Sequence, residues 1–105
     1  ALQLNPLDPQ YYLIATQLAL AHLGAGQFEK AAEYAHDAIR QQPDFLETRI
    51  ALASALGHLE RTEEARTAIE GLGDAAGDFV ERHVLYAREL KDCILDGLRK
   101  AGLPE

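Results

Sequence analysis

The 105-residue sequence has a single cysteine, Cys93, few basic residues and no long apolar run. One cysteine cannot form an intramolecular disulfide, so we expect a reducing, cytoplasmic setting. The 10 lysines and arginines are scattered among 17 aspartates and glutamates, for a formal net charge of −7. Since duplex binding depends on clustered cationic side chains, the sequence predicts no nucleic-acid partner. No apolar run approaches the roughly 20 residues of a membrane span, and no signal-peptide pattern opens the chain, so we expect no membrane association.

A fixed period of about 34 residues relates three consecutive segments of the chain. A shift by one period matches prolines, aromatic residues and Leu-Ala pairs in register: Pro9 with Pro43, Tyr11 with Phe45, and Leu18-Ala19 with Leu52-Ala53. A second shift carries Asp44-Phe45 onto Asp78-Phe79. The recurrence of proline and aromatic residues at matching positions indicates a structural repeat rather than chance matching of alanines and leucines.

Each repeat is predicted to contain two helices. Apolar residues at helical spacing between turn signals predict helices over about 9–23, 27–42, 44–59 and 62–70, then one from 78 and a last over about 90–101. Asp44 and Glu47 form a capping-box pattern for the third helix, and Thr62 is the predicted cap of the fourth. The sequence leaves open whether the last two helices separate near Glu89 or are continuous. No strand is predicted, so the fold class is all-α.

The period and the placement of small residues resemble the tetratricopeptide repeat family. The residues that carry the resemblance occupy the family's signature slots, namely Leu18-Ala19, Ala31 and Pro43 in one unit and Leu52-Ala53 and Ala65 in the next. The resemblance implies antiparallel helix pairs stacked as a short right-handed α-solenoid with a C-terminal capping helix. There are departures, because Ala15 and Arg49 stand where a bulky aromatic residue is usual and Glu60 replaces a turn glycine.

The resemblance also predicts how one domain is divided. Residues 1–7 would be the tail of a preceding repeat, 8–42 and 43–76 two repeats, and 77–105 a partial repeat and C-terminal cap. Because the chain lacks an initiating Met and begins inside a turn-like segment, we expect a piece from the C-terminal end of a longer protein. Segments at 5–9, 20–22 and 96–105 resemble C-terminal repeat regions of bacterial adenylate/guanylate cyclase-like signalling proteins, which would place any catalysis elsewhere in the parent chain.

The residues that could carry chemistry do not form a recognisable site. The histidines, which are His22, His36, His58 and His83, are far apart in the sequence, and no two of them have the spacing of a helical zinc site. Cys93 has no neighbouring base to activate it, so we expect a small buried hydrophobe. The glycine-rich stretch 71–77 follows no strand and is unlike a phosphate-binding loop. We therefore predict no catalytic residue, no metal and no cofactor, and hence no enzyme.

The resemblance implies recognition, since first helices of such repeats line a concave groove that binds a peptide, a helix or another domain. Groove candidates from this pattern are Leu13, Thr16, Gln17, Leu20, Glu47, Ile50, Ser54, His58 and Arg88. The slots of the family's carboxylate clamp hold Thr16, Leu20, Ile50 and Ser54, so we expect an apolar helix or segment, with Leu20 and Ile50 exposed. Alternatively these apolar groups pack against upstream repeats. The partner would be a protein or peptide, or another domain of the parent chain, and the second hypothesis is self-association as a homodimer.

Overall fold

The computed structural model describes residues 9–70, 79–80, 82 and 88–100. The helices within these residues are α1 Tyr11–Gly24, α2 Phe28–Gln41, α3 Leu46–His58, α4 Thr62–Ala68 and α5 Arg88–Lys100. Residues 79, 80 and 82 are also helical, where the sequence predicts a helix from Asp78. Over these described ranges there is no strand, which confirms the all-α class. The predicted tail at 1–7, the glycine-rich 71–77 and His83 lie outside the described residues, as does the boundary before α5.

The first two helices form an antiparallel pair. The start of α1 meets the end of α2, because Tyr12 N donates to the side-chain Oε1 of Gln41 at 2.7 Å and the Tyr11 hydroxyl donates to Asp37 at 3.3 Å. Gln41 thereby satisfies one of the backbone donors that a helix N-terminus leaves unpaired. The pairing predicted from the repeat is therefore present in the first unit.

The second pair, α3 and α4, has the same arrangement. Arg49, near the start of α3, donates through Nε to Ala68 O at 3.0 Å, at the end of α4, and through Nη2 to Glu70 O at 2.6 Å, just after that helix. These bonds satisfy carbonyls that the short helix α4 cannot pair internally. The departure from the family pattern at Arg49 thus has a structural role.

The turns inside the two repeats share one hydrogen-bond pattern, and the repeat period relates the two copies. After α1, Gln27 N donates to His22 O and Gly26 N to Leu23 O. After α3, the equivalent bonds run from Arg61 N to Leu56 O and from Glu60 N to Gly57 O. Both are Schellman-type helix ends, which need one residue in the left-handed backbone conformation. Gly26 and Glu60 adopt it, with φ of 79° and 62°.

Helix α3 lies at the centre of the fold. Every residue from Ala51 to Gly57 is buried, since α3 packs against the other four helices. The main core contains residues of all five helices and Val80, and Leu23, Leu56, Ile94 and Leu98 are among its most deeply buried side chains. Small side chains at the contacts, such as Ala31 and Ala65, let the helices approach closely.

Two predicted caps are wrong. Phe45, not Asp44, occupies the N-cap position of α3, and no side chain caps that helix. Glu47 instead accepts a hydrogen bond from Gln17 of α1 at 3.3 Å, so a contact between helices replaces the local capping box. Thr62 is the first residue of α4 rather than its cap, because Arg61 occupies the N-cap position.

Candidate functional site

Helices α1 and α3 lie side by side with their N-termini at the same end, and together they form a surface that we call the first-helix face. The buried hydroxyls of Thr16 and Thr48 are 2.6 Å apart, and Gln17 donates to Glu47 beside them. Tyr12 and Phe45 make an edge-to-face ring contact with centroids 5.2 Å apart. These three contacts fix the two helices relative to each other.

Helix α5 covers the C-terminal half of the first-helix face. It packs along α3 and reaches the end of α1, where the Cys93 thiol donates to Leu23 O at 3.5 Å. Its buried residues are Ile94, Gly97 and Leu98, and Leu90 and Cys93 are partly buried against the same core. Helix α5 of the same chain therefore occupies part of the surface predicted to receive a partner.

Gly97 permits the closest approach between α5 and α3. A Cβ atom built at Gly97 would lie 2.3 Å from Ser54 Oγ, 2.4 Å from Ser54 O and 2.7 Å from His58 Cδ2. A carbon at those distances would overlap backbone as well as side-chain atoms, so any larger residue would push the helices apart. The position of α5 depends on the absence of that one side chain.

Two side chains of α3 donate hydrogen bonds to carbonyl groups of α5. Ser54 Oγ lies 2.9 Å from Ile94 O, and His58 Nε2 lies 2.8 Å from Cys93 O, which makes Nε2 the protonated ring nitrogen. The His58 ring also stacks on Phe28 with centroids 4.2 Å apart, and its side chain is only 8% exposed. Asp96 lies on the other side of the ring, with Oδ2 4.0 Å from Nδ1. These contacts orient the imidazole toward α5.

The predicted groove residues divide into a covered set and an open set. Those that are buried are Thr16, Leu20, Ile50 and Ser54, and His58 is nearly so. The expectation that Leu20 and Ile50 are exposed is wrong, because both belong to the main core. Leu13 and Gln17 are exposed and Glu47 is half-buried, so these three form the open, N-terminal part of the first-helix face.

Arg88 lies apart from the open set. It is the first residue of α5, is exposed, and pairs with Asp92 at 3.3 Å within the same helix. The structure thus brings Leu13, Gln17 and Glu47 together and separates them from Arg88. That these residues contact a partner stays a prediction.

The sequence analysis did not identify the residues that hold α5 against α3, above all Gly97. A single glycine inside a predicted helix was the available signal, because such a glycine costs helix stability and often marks close packing. The stacking of Phe28 on His58 cannot be derived from sequence spacing. The contact joins α2 to the end of α3, and only the tertiary structure places these rings together.

The thiol of Cys93 has the surroundings of a structural cysteine rather than of a nucleophile. Burial, and next the negative charge of Asp96, raise the pKa of the Cys93 thiol above its ordinary value of 9.0. His58 Nε2 is 3.6 Å from Sγ but is committed to the Cys93 carbonyl. A reactive cysteine needs a lowered pKa, so this arrangement does not activate it.

Within the described residues, no group of three or more His, Cys, Asp or Glu side chains is arranged to hold a metal ion. None of the helices described here has the length and apolar character needed to cross a membrane.

Comparison with known families agrees with this geometry. The sequence model of the tetratricopeptide repeat family matches residues 22–88, which is more than half of the chain. The chain belongs to the tetratricopeptide repeat family. Repeats of this family generally mediate protein–protein interaction and are typically non-catalytic. Searches of curated proteins and of solved structures gave no significant match.

Proposed function

We propose that the chain is a non-catalytic interaction module that binds a segment of a partner protein on the first-helix face. The observation that carries the proposal is the open part of that face, where Leu13 is 40% exposed one helical turn before Gln17, which donates to Glu47. Among the described residues Leu13 is the one large hydrophobic side chain classed as exposed. Leu13 supplies apolar contact area between polar groups, as interfaces combine an apolar centre with a polar rim.

The proposed partner segment combines an apolar side chain with a basic one. Leu13 offers apolar contact area, while the Glu47 carboxylate is held in place by the Gln17 amide. The net charge of −7 also favours the approach of a cationic segment over long range. We therefore propose a segment in which a large apolar residue contacts Leu13 and a lysine or arginine pairs with Glu47.

We further propose that this module is the C-terminal part of a larger bacterial signalling protein in the cytoplasm. The support is the likeness of segments 5–9, 20–22 and 96–105 to the repeat regions of cyclase-like proteins, together with the single cysteine. The partner would then be a protein, or another domain of the parent chain.

Site-specific photocrosslinking tests the binding surface. A photoreactive amino acid at Leu13 should give one discrete protein adduct in cells that express the full-length parent. The matched control is the same amino acid at Lys30, an exposed position on α2, which should not give that adduct. Adding Glu47→Lys should weaken the Leu13 adduct by charge reversal. The same adducts from both positions, or none from Leu13, would overturn the proposal.

Self-association is the second candidate function, and the outer surface of α1 favours it. Leu13 and Ala21 are exposed and Leu18 is half-buried along this helix. Their equivalents one repeat later include Leu52 and Ala55, which are buried under the neighbouring helices. A second copy could cover α1 in the same way. Sedimentation velocity over a wide concentration range should then show a dimer that Leu13→Glu converts to monomer, and a monomer throughout would exclude it.

A further inference from the structure

Helix α5 lies on α3 as an amphipathic helix lies in a binding groove. Leu90, Ile94 and Leu98, spaced four residues apart along one face, pack in the core, and Cys93 and Leu95 are partly buried beside them. That spacing is the one by which helical ligands place anchors in an apolar groove. The opposite face carries the exposed residues Arg99 and Lys100. The packing of α5 therefore indicates which kind of segment the covered half of the first-helix face accepts.

Two features of α3 make this surface selective for a helix with a small residue at the crossing point. Ser54 and His58 donate to carbonyl oxygens of α5, so they bind backbone and place few demands on side-chain identity. The space beside Ser54, by contrast, admits no Cβ at Gly97 without overlap at 2.3 Å. Side-chain donors that bind backbone carbonyls accept many sequences, while the tight crossing excludes most residues at one position.

We propose that the half of the first-helix face over α3 is a helix-binding groove that α5 occupies within its own chain, and that the partner is an amphipathic helix which competes with α5. Such a helix would have large apolar residues at three positions spaced by four and a glycine one position before the third. This inference rests on the proposed binding function. It adds that binding is limited by α5, because α5 and a partner helix cannot occupy the same space.

A peptide of residues 88–100 is the probe for this groove. Labelled with a fluorophore, it should bind the full chain carrying Gly97→Leu at least about tenfold more tightly than the unaltered chain, by fluorescence anisotropy. The reason is that the leucine pushes the variant's own α5 from α3 while Ser54 and His58 remain. A peptide that itself carries Gly97→Leu should bind neither chain.

The control variant is Arg99→Leu, which adds a leucine to the exposed side of α5. Its affinity for the peptide should stay within about twofold of the unaltered chain. Release of α5 is followed separately through Cys93, the only thiol. Ellman's reagent should react with Cys93 at least about tenfold faster in Gly97→Leu than in Arg99→Leu, since Sγ would leave its contact with Leu23 O.

A second variant guards against simple unfolding. Ile94→Ser removes an apolar anchor of α5 without adding volume, and it should also increase peptide binding while circular dichroism retains most of the helical signal. Loss of that signal in both variants would show that α5 is an inseparable part of the core and would overturn the inference. Equal peptide affinity for Gly97→Leu and the unaltered chain would overturn it too.

The two proposals fail in distinguishable ways. The peptide experiment uses only this chain and its own helix, whereas photocrosslinking at Leu13 reports on an external partner at the open part of the face. Peptide binding without a Leu13 adduct would show that α3 accepts an exchangeable helix, while the partner site proposed at Leu13 would be removed. A Leu13 adduct with no peptide binding would keep the function and remove the competition by α5.

Discussion

Glu60 occupies in the second repeat the left-handed backbone conformation that Gly26 occupies in the first, with φ of 62° against 79°. A residue with a Cβ is strained in this region by about 1 kcal/mol, whereas glycine is not. We therefore expect Glu60→Gly to stabilise the fold by about 1 kcal/mol, or to raise the Tm by about 4 °C. Thermal unfolding followed by circular dichroism measures the change.

Two controls accompany this prediction. Glu60→Gln keeps the Cβ and removes the charge, so it should leave the Tm nearly unchanged. Gly26→Ala should destabilise the fold by about 1 kcal/mol, because a Cβ at Gly26 meets nothing within 4 Å and only backbone strain is added. A destabilising Glu60→Gly would show that Glu60 makes a contribution beyond its backbone conformation.

The position of this strained residue was readable from the sequence, since the repeat period aligns Glu60 with a glycine in a helix-ending turn. The helices were readable for the same reason, because each is bounded by local signals and the repeat supplies two copies. Caps were less predictable. Glu47 could serve α3 locally or contact Gln17 of α1, and the second option depends on helix packing.

The candidate site was only partly predictable. Leu13 and Gln17 follow from the repeat, because each unit places its first helix on the same face. The burial of Ile50 and Ser54 does not follow, since it depends on where α5 lies after an interval that the period does not describe. A glycine inside a predicted helix is only a weak sequence signal for close packing. The close approach of Gly97 to Ser54 is a long-range contact that the sequence does not show.

The hydroxyls of Thr16 and Thr48 are both fully buried, and their order of donation is fixed. Thr16 donates its one hydrogen to Tyr12 O at 2.7 Å, so Thr48 is the donor in the 2.6 Å bond between them. Thr16→Val removes the acceptor of a buried donor and should destabilise by about 1–3 kcal/mol. Thr48→Val leaves Thr16 paired with Tyr12 and should cost less. Urea unfolding of both variants and the double variant tests this order, and equal losses would contradict it.

Arg49 joins the start of α3 to the end of α4 through two carbonyl oxygens, those of Ala68 and Glu70. Arg49→Met keeps most of the apolar stem and leaves both carbonyls without this donor, so we expect a loss of about 1–2 kcal/mol. Arg49→Lys should recover only part of it, since an ammonium cannot reproduce the planar fork. Urea unfolding measures both, with Arg66→Met, an exposed residue of α4, as control. Full recovery by lysine would indicate that charge rather than geometry matters.

Burial of the Cys93 thiol couples folding to pH at the alkaline end. Its pKa is raised above the ordinary 9.0 in the folded chain, so between the unfolded and folded pKa values the folded state binds more protons. The free energy of unfolding therefore decreases as the pH rises through that interval. The stabilising contribution of the buried, protonated thiol is fully present below the unfolded pKa. Burial raises the pKa of the Tyr11 hydroxyl as well, so some alkaline loss should persist without the thiol. Urea unfolding of the unaltered chain and Cys93→Ala at pH 7.5 and 10 should give a smaller loss of stability for the variant. Equal losses would mean that the thiolate is tolerated between α5 and α1, in conflict with the contact of Sγ with Leu23 O.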